Sequence, residues 1–324
     1  MNGDETVHPV IRDAVQTAIQ ELGYRPSPIA RNLRRGTSGI LGFVLSDLAN
    51  PTYGAMVPIV QELTREAGYA VIVMDSGMDP GLEAKNLELL YSLRVDGFVW
   101  NPLLPTAEQL PWKPGEVPLL SLPKVPEWDG PGVIVDTTPA TLEALDDFLR
   151  LGHKRVGITT IHGLGGTQRG LLAAMRRRVA EAGAQLVSDS SWTFYSLEES
   201  VSVLVEKLRS PDRPTALLAA SAVLPHLLVA TRTLGLKIPR DISVVSIASS
   251  ELAEVYDPPI NVISFDYREF ATEAVAKLLD LIRDVAPTAP AEVHKAEYIV
   301  RRSVARAPAD PGLAHGKRPG ATET

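Results

Sequence analysis

Short apolar, β-rich runs alternate along this chain with stretches whose apolar positions recur every three or four residues. The runs fall at Ile40–Ser46, Ala70–Asp75, Val95–Trp100, Leu119–Leu122, Val133–Val135, Arg155–Ile161, Ala216–Ala220, Ile242–Ile247 and Val262–Phe265. Helical patterns lie between most of them, at Val57–Ala67, Leu82–Leu93, Leu142–Leu151, Leu171–Ala182, Val201–Leu208, Leu224–Leu234 and Ala271–Leu281. Continuous apolar strands separated by helices predict parallel sheets covered on both faces. No repeat is visible beyond two similar α/β halves. The stretch Pro102–Pro131 reads as irregular surface rather than a linker, because strand signal resumes inside it. The tail from Ala307 is rich in Pro, Gly and Ala, lacks periodicity and reads as disordered. Near the start, Val10, Ile11, Ala14, Val15, Ala18, Ile19 and Leu22 make an apolar stripe at helical spacing. Pro9 suits its first turn and Gly23 its end, but the stripe has no local partner.

A chain of 324 residues predicts two domains with room for buried cores. It has no cysteine, which excludes disulfides, thiol catalysis and cysteine-ligated zinc. It shows no charged-then-apolar leader, and no apolar run reaches the roughly 18 residues of a membrane span. The expectation is a cytoplasmic protein.

Charge changes the picture at one place. Gly23–Gly36 carries four arginines and no acid, in a chain of net charge -7. Pro26 and Pro28 block helix upstream and permit it downstream, and Gly36 can close the segment. In the two turns between, Arg31, Arg34 and Arg35 share one face and Leu33 projects off it. A helix this short is marginal alone. On composition the segment reads either as a solvated basic linker or as a DNA hinge helix, with arginines on phosphates and leucine wedged in the minor groove.

The stretch ELGYRPSPIARNLRRGTSGILGFVLSDLANPTYG resembles the hinge and first core strand of the LacI/GalR family of bacterial transcription regulators. The likeness continues to about Arg306 through VDGFVW, GHKRVGI, PTALLAAS, LGLKIPRDISVVSI and YIVRRSVA, in family order and spacing. It implies two Rossmann-like lobes of the periplasmic-binding-protein-like type, joined by three crossovers near Asp136–Thr137, Ser264–Phe265 and Pro287–Pro290. The implied division is a helix-turn-helix remnant and hinge at 1–36, a first lobe at 37–136 plus 265–289, and a second lobe at 137–264 plus 290–306. A tail follows at 307–324. Ser27, Ala30, Arg31, Leu33, Arg34 and Arg35 become the candidate DNA contacts, in the minor groove. Family members begin with two further helices, and Met1 falls where the recognition helix has just ended. A start upstream of Met1 is therefore expected in preference to a loss of base readout. Major-groove contact follows only if that start exists.

Ligands in such sheets sit at the carboxyl ends of strands. The candidate effector residues are Ser46, Asp47, Asn50, Thr52, Tyr53, Asp75, Asn101 and Asp136, with Ser221 and Ser249 from the second half. The resemblance adds Arg169, after the glycine-rich loop His162–Thr167, as a charge-assisted clamp. Tyr53, Trp192 and Tyr195 offer stacking surface, or belong to the core. Sugar-binding members carry carboxylates after two strands where this chain has Ser221-Ala222 and Ala248-Ser249. A polyol without those carboxylates leaves hydroxyls unpaired at roughly 1–3 kcal/mol each. The expected effector is therefore less hydroxylated, more apolar or anionic, and not a typical sugar.

Catalytic motifs are nearly absent: there is no Gly-x-Ser-x-Gly elbow and no phosphate-binding Walker loop. The six histidines lack ligand spacing and read as single surface residues, apart from a structural His153. Asp146-Asp147 and Glu198-Glu199 read as solvated, since neighbours on a helix do not face each other. The expectation is a homodimeric, effector-responsive repressor, with no metal or cofactor and no enzymatic activity. The alternative is a stand-alone small-molecule-binding module without DNA activity.

Overall fold

The computed structural model of the chain describes residues 8–21, 36–103, 110, 112–113, 116–122, 130–161, 165–187, 193–194, 200–247, 251–284 and 293–309. The hinge candidates Ser27 to Arg35, together with Trp192, Tyr195, Glu198, Glu199, Ser249 and the third crossover, lie outside these residues.

Helix α1 (Pro9–Glu21) comes first, with Val10 and Ile11 exposed. A strand–helix series follows: β1 (Ile40–Leu45), α2 (Pro51–Glu66), β2 (Ala70–Asp75), α3 (Pro80–Ser92), β3 (Gly97–Trp100) and β4 (Leu119–Ser121). The strands form a four-stranded parallel sheet in the order β2-β1-β3-β4. Strand β5 (Ile134–Asp136) then leads into α4 (Thr138–Arg150) and the second half. There β6 (Arg155–Ile158), β7 (Thr160–Ile161), α5 (Gly165–Glu181), β8 (Gln185–Leu186), β9 (Thr193–Phe194) and α6 (Ser200–Arg209) precede β10 (Ala216–Ala220), α7 (Leu224–Thr233), β11 (Ser243–Ile247) and β12 (Asn261–Ser264). Helix α8 (Tyr267–Ile282) returns to pack on α2, β3 and β4 of the first half. The chain then passes through β13 (Val293–Lys295) to β14 (Glu297–Ile299). The second sheet runs β14-β12-β11-β10-β6-β8, parallel except for β14 against β12. Two lobes joined by crossovers result. Strands β5 and β13 pair with each other between the sheets.

Burial follows the two-residue period of strands. Along β1, Leu41, Phe43 and Leu45 enter the core beneath α2 and α8, while Val44 faces the α3 side with Leu87, Phe98 and Trp100. Gly42 is needed there, because an added Cβ would lie 2.8 Å from Leu90 and 2.9 Å from Phe98. Along β10, Leu217 and Ala219 face α6 and α7, and Ala216 and Leu218 face α4 and α5. Val135 and Phe265, on the two described crossovers, pack against a core cluster of each lobe.

Several expectations need correction. The helices of the first lobe start earlier than their apolar patterns, at Pro51 and Pro80, where Asn50 and Asp79 accept from the first free amides and proline suits the first turn. Residues 155–161 are not one strand. It breaks at Thr159, whose amide donates to Leu218 and whose hydroxyl accepts from Ala220. Part of the expected glycine-rich loop is helix, since α5 begins at Gly165. Within Pro102–Pro131, Leu103, Leu110 and Trp112 are buried, Trp112 stacking on Phe98 at 4.7 Å and Tyr91 at 5.3 Å. Asp147 is half-buried, pairing with Arg150 and accepting from Tyr298, so it is not merely solvated, whereas Asp146 stays exposed and pairs with Arg178. The tail is placed as far as residue 309, with the Ala307 amide donating to Leu151.

Among the described residues two histidines are buried. His153 Nε2 donates to the Ala305 carbonyl at 3.0 Å, which leaves Nδ1 to accept from Thr215 at 2.9 Å. Burial lowers its pKa, partly offset by the Ala305 bond. His294 bonds Glu273, tying β13 to α8. Among the described residues no helix is long and apolar enough to cross a membrane.

Candidate functional site

The carboxyl ends of β1 and β2 run into two loops that lie side by side. The Leu48 amide donates to Asp75 Oδ1 at 3.1 Å, and the Met78 amide donates to the Ser46 carbonyl at 2.7 Å. Met78 holds a left-handed φ of 61°, and its side chain packs against the apolar cluster beneath α6 and α7 of the other lobe. These loops therefore reach across the seam between the lobes.

The direct polar contact across that seam centres on Ser221, which follows β10. Its hydroxyl donates to Asn50 Oδ1 at 3.0 Å and lies 3.2 Å from the Thr52 hydroxyl. Asn50 Oδ1 also caps α2 by accepting from the Thr52 amide at 3.1 Å. One amide oxygen thus both ends a helix and holds the lobes together. Tyr267, at the start of α8, reaches Thr52 and Ser264, so the second crossover abuts the same contact.

The structure sorts the remaining candidates. Asn101 is buried, accepting from the Ser46 amide at 3.3 Å and donating to the Leu122 carbonyl at 3.1 Å. Tyr53 lies in the first core cluster with its hydroxyl on Ser46 and Asn101, and burial pushes its pKa up. It packs as core rather than as an open stacking face. Asp136 accepts from the Thr138 amide at 2.9 Å beside the first crossover. Asp75 Oδ1 accepts from Leu48 and Gly77. Arg169 stands in the first turns of α5, and its side chain lies outside the described residues. Ser46, Asn50, Thr52, Tyr53, Asn101 and Ser221 are brought together, and Asp47 and Asp75 adjoin them.

Two groups near this seam escaped sequence reasoning. Ser76 has a fully buried hydroxyl without a hydrogen-bond partner. His226, in the first turn of α7, donates through Nδ1 to the Ala222 carbonyl at 3.2 Å and interacts electrostatically with Asp47. Its signal was available, since it falls five residues past Ser221 at the start of a helix following a strand end. Asp47 is only 8% exposed; Oδ1 accepts from the Ala49 amide at 3.0 Å, and Oδ2 has no partner. Its pKa is raised, first by burial and then by Asp75. Among the described residues no group of three or more His, Asp or Glu side chains is arranged to hold a metal.

Comparison with known proteins gives this geometry a context. The family profile described as "periplasmic binding protein-like domain" matches residues 145–304. The HTH-type transcriptional repressor CytR of Escherichia coli (strain K12) is 25% identical over 325 residues, covering 95% of this chain and 91% of that protein. The HTH-type transcriptional repressor PurR of Aliivibrio salmonicida (strain LFI1238) is 27% identical, covering 88% of this chain and 87% of its own length. Among solved structures, the Lac repressor dimer bound to operator and the anti-inducer ONPF superposes with a TM-score of 0.75 at 22% identity, covering 93% of this chain and 92% of that chain.

Proposed function

We infer that this chain, a homologue of the LacI/GalR-type repressors along nearly all of its length, is a DNA-binding transcription regulator whose operator affinity is set by a small molecule between its lobes. The observation that carries the effector half is the Ser221–Asn50–Thr52 contact. It joins the lobes at the carboxyl ends of their strands, where such folds bind ligands. A molecule inserted there gains or loses contacts as the lobes shift, and so biases one arrangement over the other.

The DNA half rests on the basic segment. Arg31, Arg34 and Arg35 are assigned to phosphates, with Leu33 as the minor-groove wedge and Ser27 and Ala30 beside it. Two copies would present two such segments, and the similar Lac repressor structure is a dimer bound to operator. The pairing face assigned here is α3 with its C-cap, where Leu82 and Leu89 of the helix and Leu93 just past it share one side and stand 39%, 48% and 50% exposed. A regulator of this kind acts in the cytoplasm and needs no catalytic group.

The test is fluorescence anisotropy on DNA from the protein's own upstream region, against a scrambled duplex, at several salt concentrations. Leu33→Ala should weaken specific binding by at most about 3 kcal/mol and leave effector binding intact. Arg34→Ala should weaken both duplexes alike and reduce the slope of log affinity against log salt by about one for each phosphate no longer neutralised. Equal affinity of the parent protein for the two duplexes would leave the stand-alone binding module as the better account.

A further inference from the structure

Beside the Ser221 contact lies a stretch of the seam that is acidic and incompletely bonded. Asp47 and Asp75 bring two carboxylates together where the loops after β1 and β2 meet. Asp75 is satisfied by two backbone amides. Asp47 is not: it is more than nine-tenths buried and its Oδ2 has no partner. Ser76, on the next loop, adds a second buried and unpartnered oxygen. Native folds leave few buried polar atoms unpaired, and each such atom costs stability unless something else completes it. Across the seam stands His226, whose Nδ1 is held by the Ala222 carbonyl, so Nε2 is an acceptor in the neutral ring. Every one of these groups accepts hydrogen bonds. An anion would find only the Ser76 hydroxyl as a side-chain donor among them, and it would face two like charges.

We propose that this stretch is a subsite for an ammonium or amidinium group, and that the effector is a small organic cation. The proposal rests on the cleft being the effector site and goes further in naming the chemistry. The cation donates to Asp47 Oδ2, with Ser76 and His226 as further acceptors, and neutralises charge that the closed seam otherwise leaves unbalanced. Because Asp47 and Ser76 belong to one lobe and His226 to the other, such a ligand touches both lobes and biases how they sit against each other.

The experiment is thermal denaturation of the full chain at pH 7.5 with a matched set of four-carbon probes: putrescine, 1,4-butanediol and succinate. Potassium chloride at equal ionic strength controls for a simple inorganic cation. Putrescine in tenfold excess over its Kd should raise the Tm by about 2 °C or more, with the diol giving less and succinate and potassium nothing. Asp47→Asn, which keeps the acceptor for Ala49 and removes the charge, should weaken putrescine binding at least about tenfold in calorimetry. Ser76→Ala should weaken it to a smaller degree. The proposal fails if succinate matches putrescine, if potassium chloride reproduces the shift, if putrescine gives none, or if Asp47→Asn binds it as tightly as the parent. These readouts need no DNA, so they stand or fall separately from operator binding.

Discussion

Asp47 shows what a single residue can reveal when its bonding is incomplete. A buried carboxylate with one oxygen unpaired is a cost the folded state carries. Asp47→Asn should therefore stabilise the ligand-free protein, by about 1 kcal/mol in urea titrations. The pH dependence follows from the direction of its shift. A carboxyl whose pKa is raised by folding binds its proton more tightly in the native state, so stability falls as pH rises from the ordinary carboxylate range through the raised value. The gap between variant and parent should widen from pH 4 to pH 7; a constant gap would show that the charge is not the cause. His153 runs the other way. Burial lowers its pKa, so the unfolded chain takes up the proton first, and stability falls as pH drops below about 6.5. His153→Ala should cost about 2–4 kcal/mol and flatten that acid-side decline, read from urea midpoints at pH 7.5 and 5.5.

At the scale of elements, the start of α2 does two jobs through one side chain. Asn50→Ala should lose a helix cap worth about 1 kcal/mol together with the bond to Ser221, whereas Ser221→Ala leaves the cap in place. A double-mutant cycle should return a coupling of about 0.5–1 kcal/mol, and zero coupling would mean that the seam contact contributes nothing. Most elements were legible, because long apolar runs and 3.6-residue stripes are strong signals. Their starts were less so. Apolar periodicity begins at Val57, Leu82 and Ala271, but the helices begin at Pro51, Pro80 and Tyr267, where Asn50, Asp79 and Asp266 cap them. The Asn-Pro and Asp-Pro pairs announced two of these starts. Strands β8 and β9 span two residues each and β13 and β14 three each, too short for any period to show. In the site, residue types after strand ends were readable. Which of them are spent inside one lobe was not, since Asn101 and Tyr53 are consumed by partners distant in sequence.

For the whole molecule, pairing and closure must be compatible. The exposed leucines of α3 lie on the first lobe, as does the loop carrying Asp75, Ser76 and Met78 that precedes this helix. Leu89→Asp should shift the protein to monomers in sedimentation and weaken operator binding, while leaving putrescine binding within about twofold. An unchanged sedimentation coefficient would move the pairing face elsewhere. The lobes themselves are not separable pieces. Val135 and Phe265 each pack in both cores. This limits how such regulators can be recombined. Exchanging one lobe for a relative's would graft a foreign surface under two side chains shaped for the original pair. A working hybrid would have to import the crossover residues together with the partner core, so the natural cutting points lie away from the crossovers.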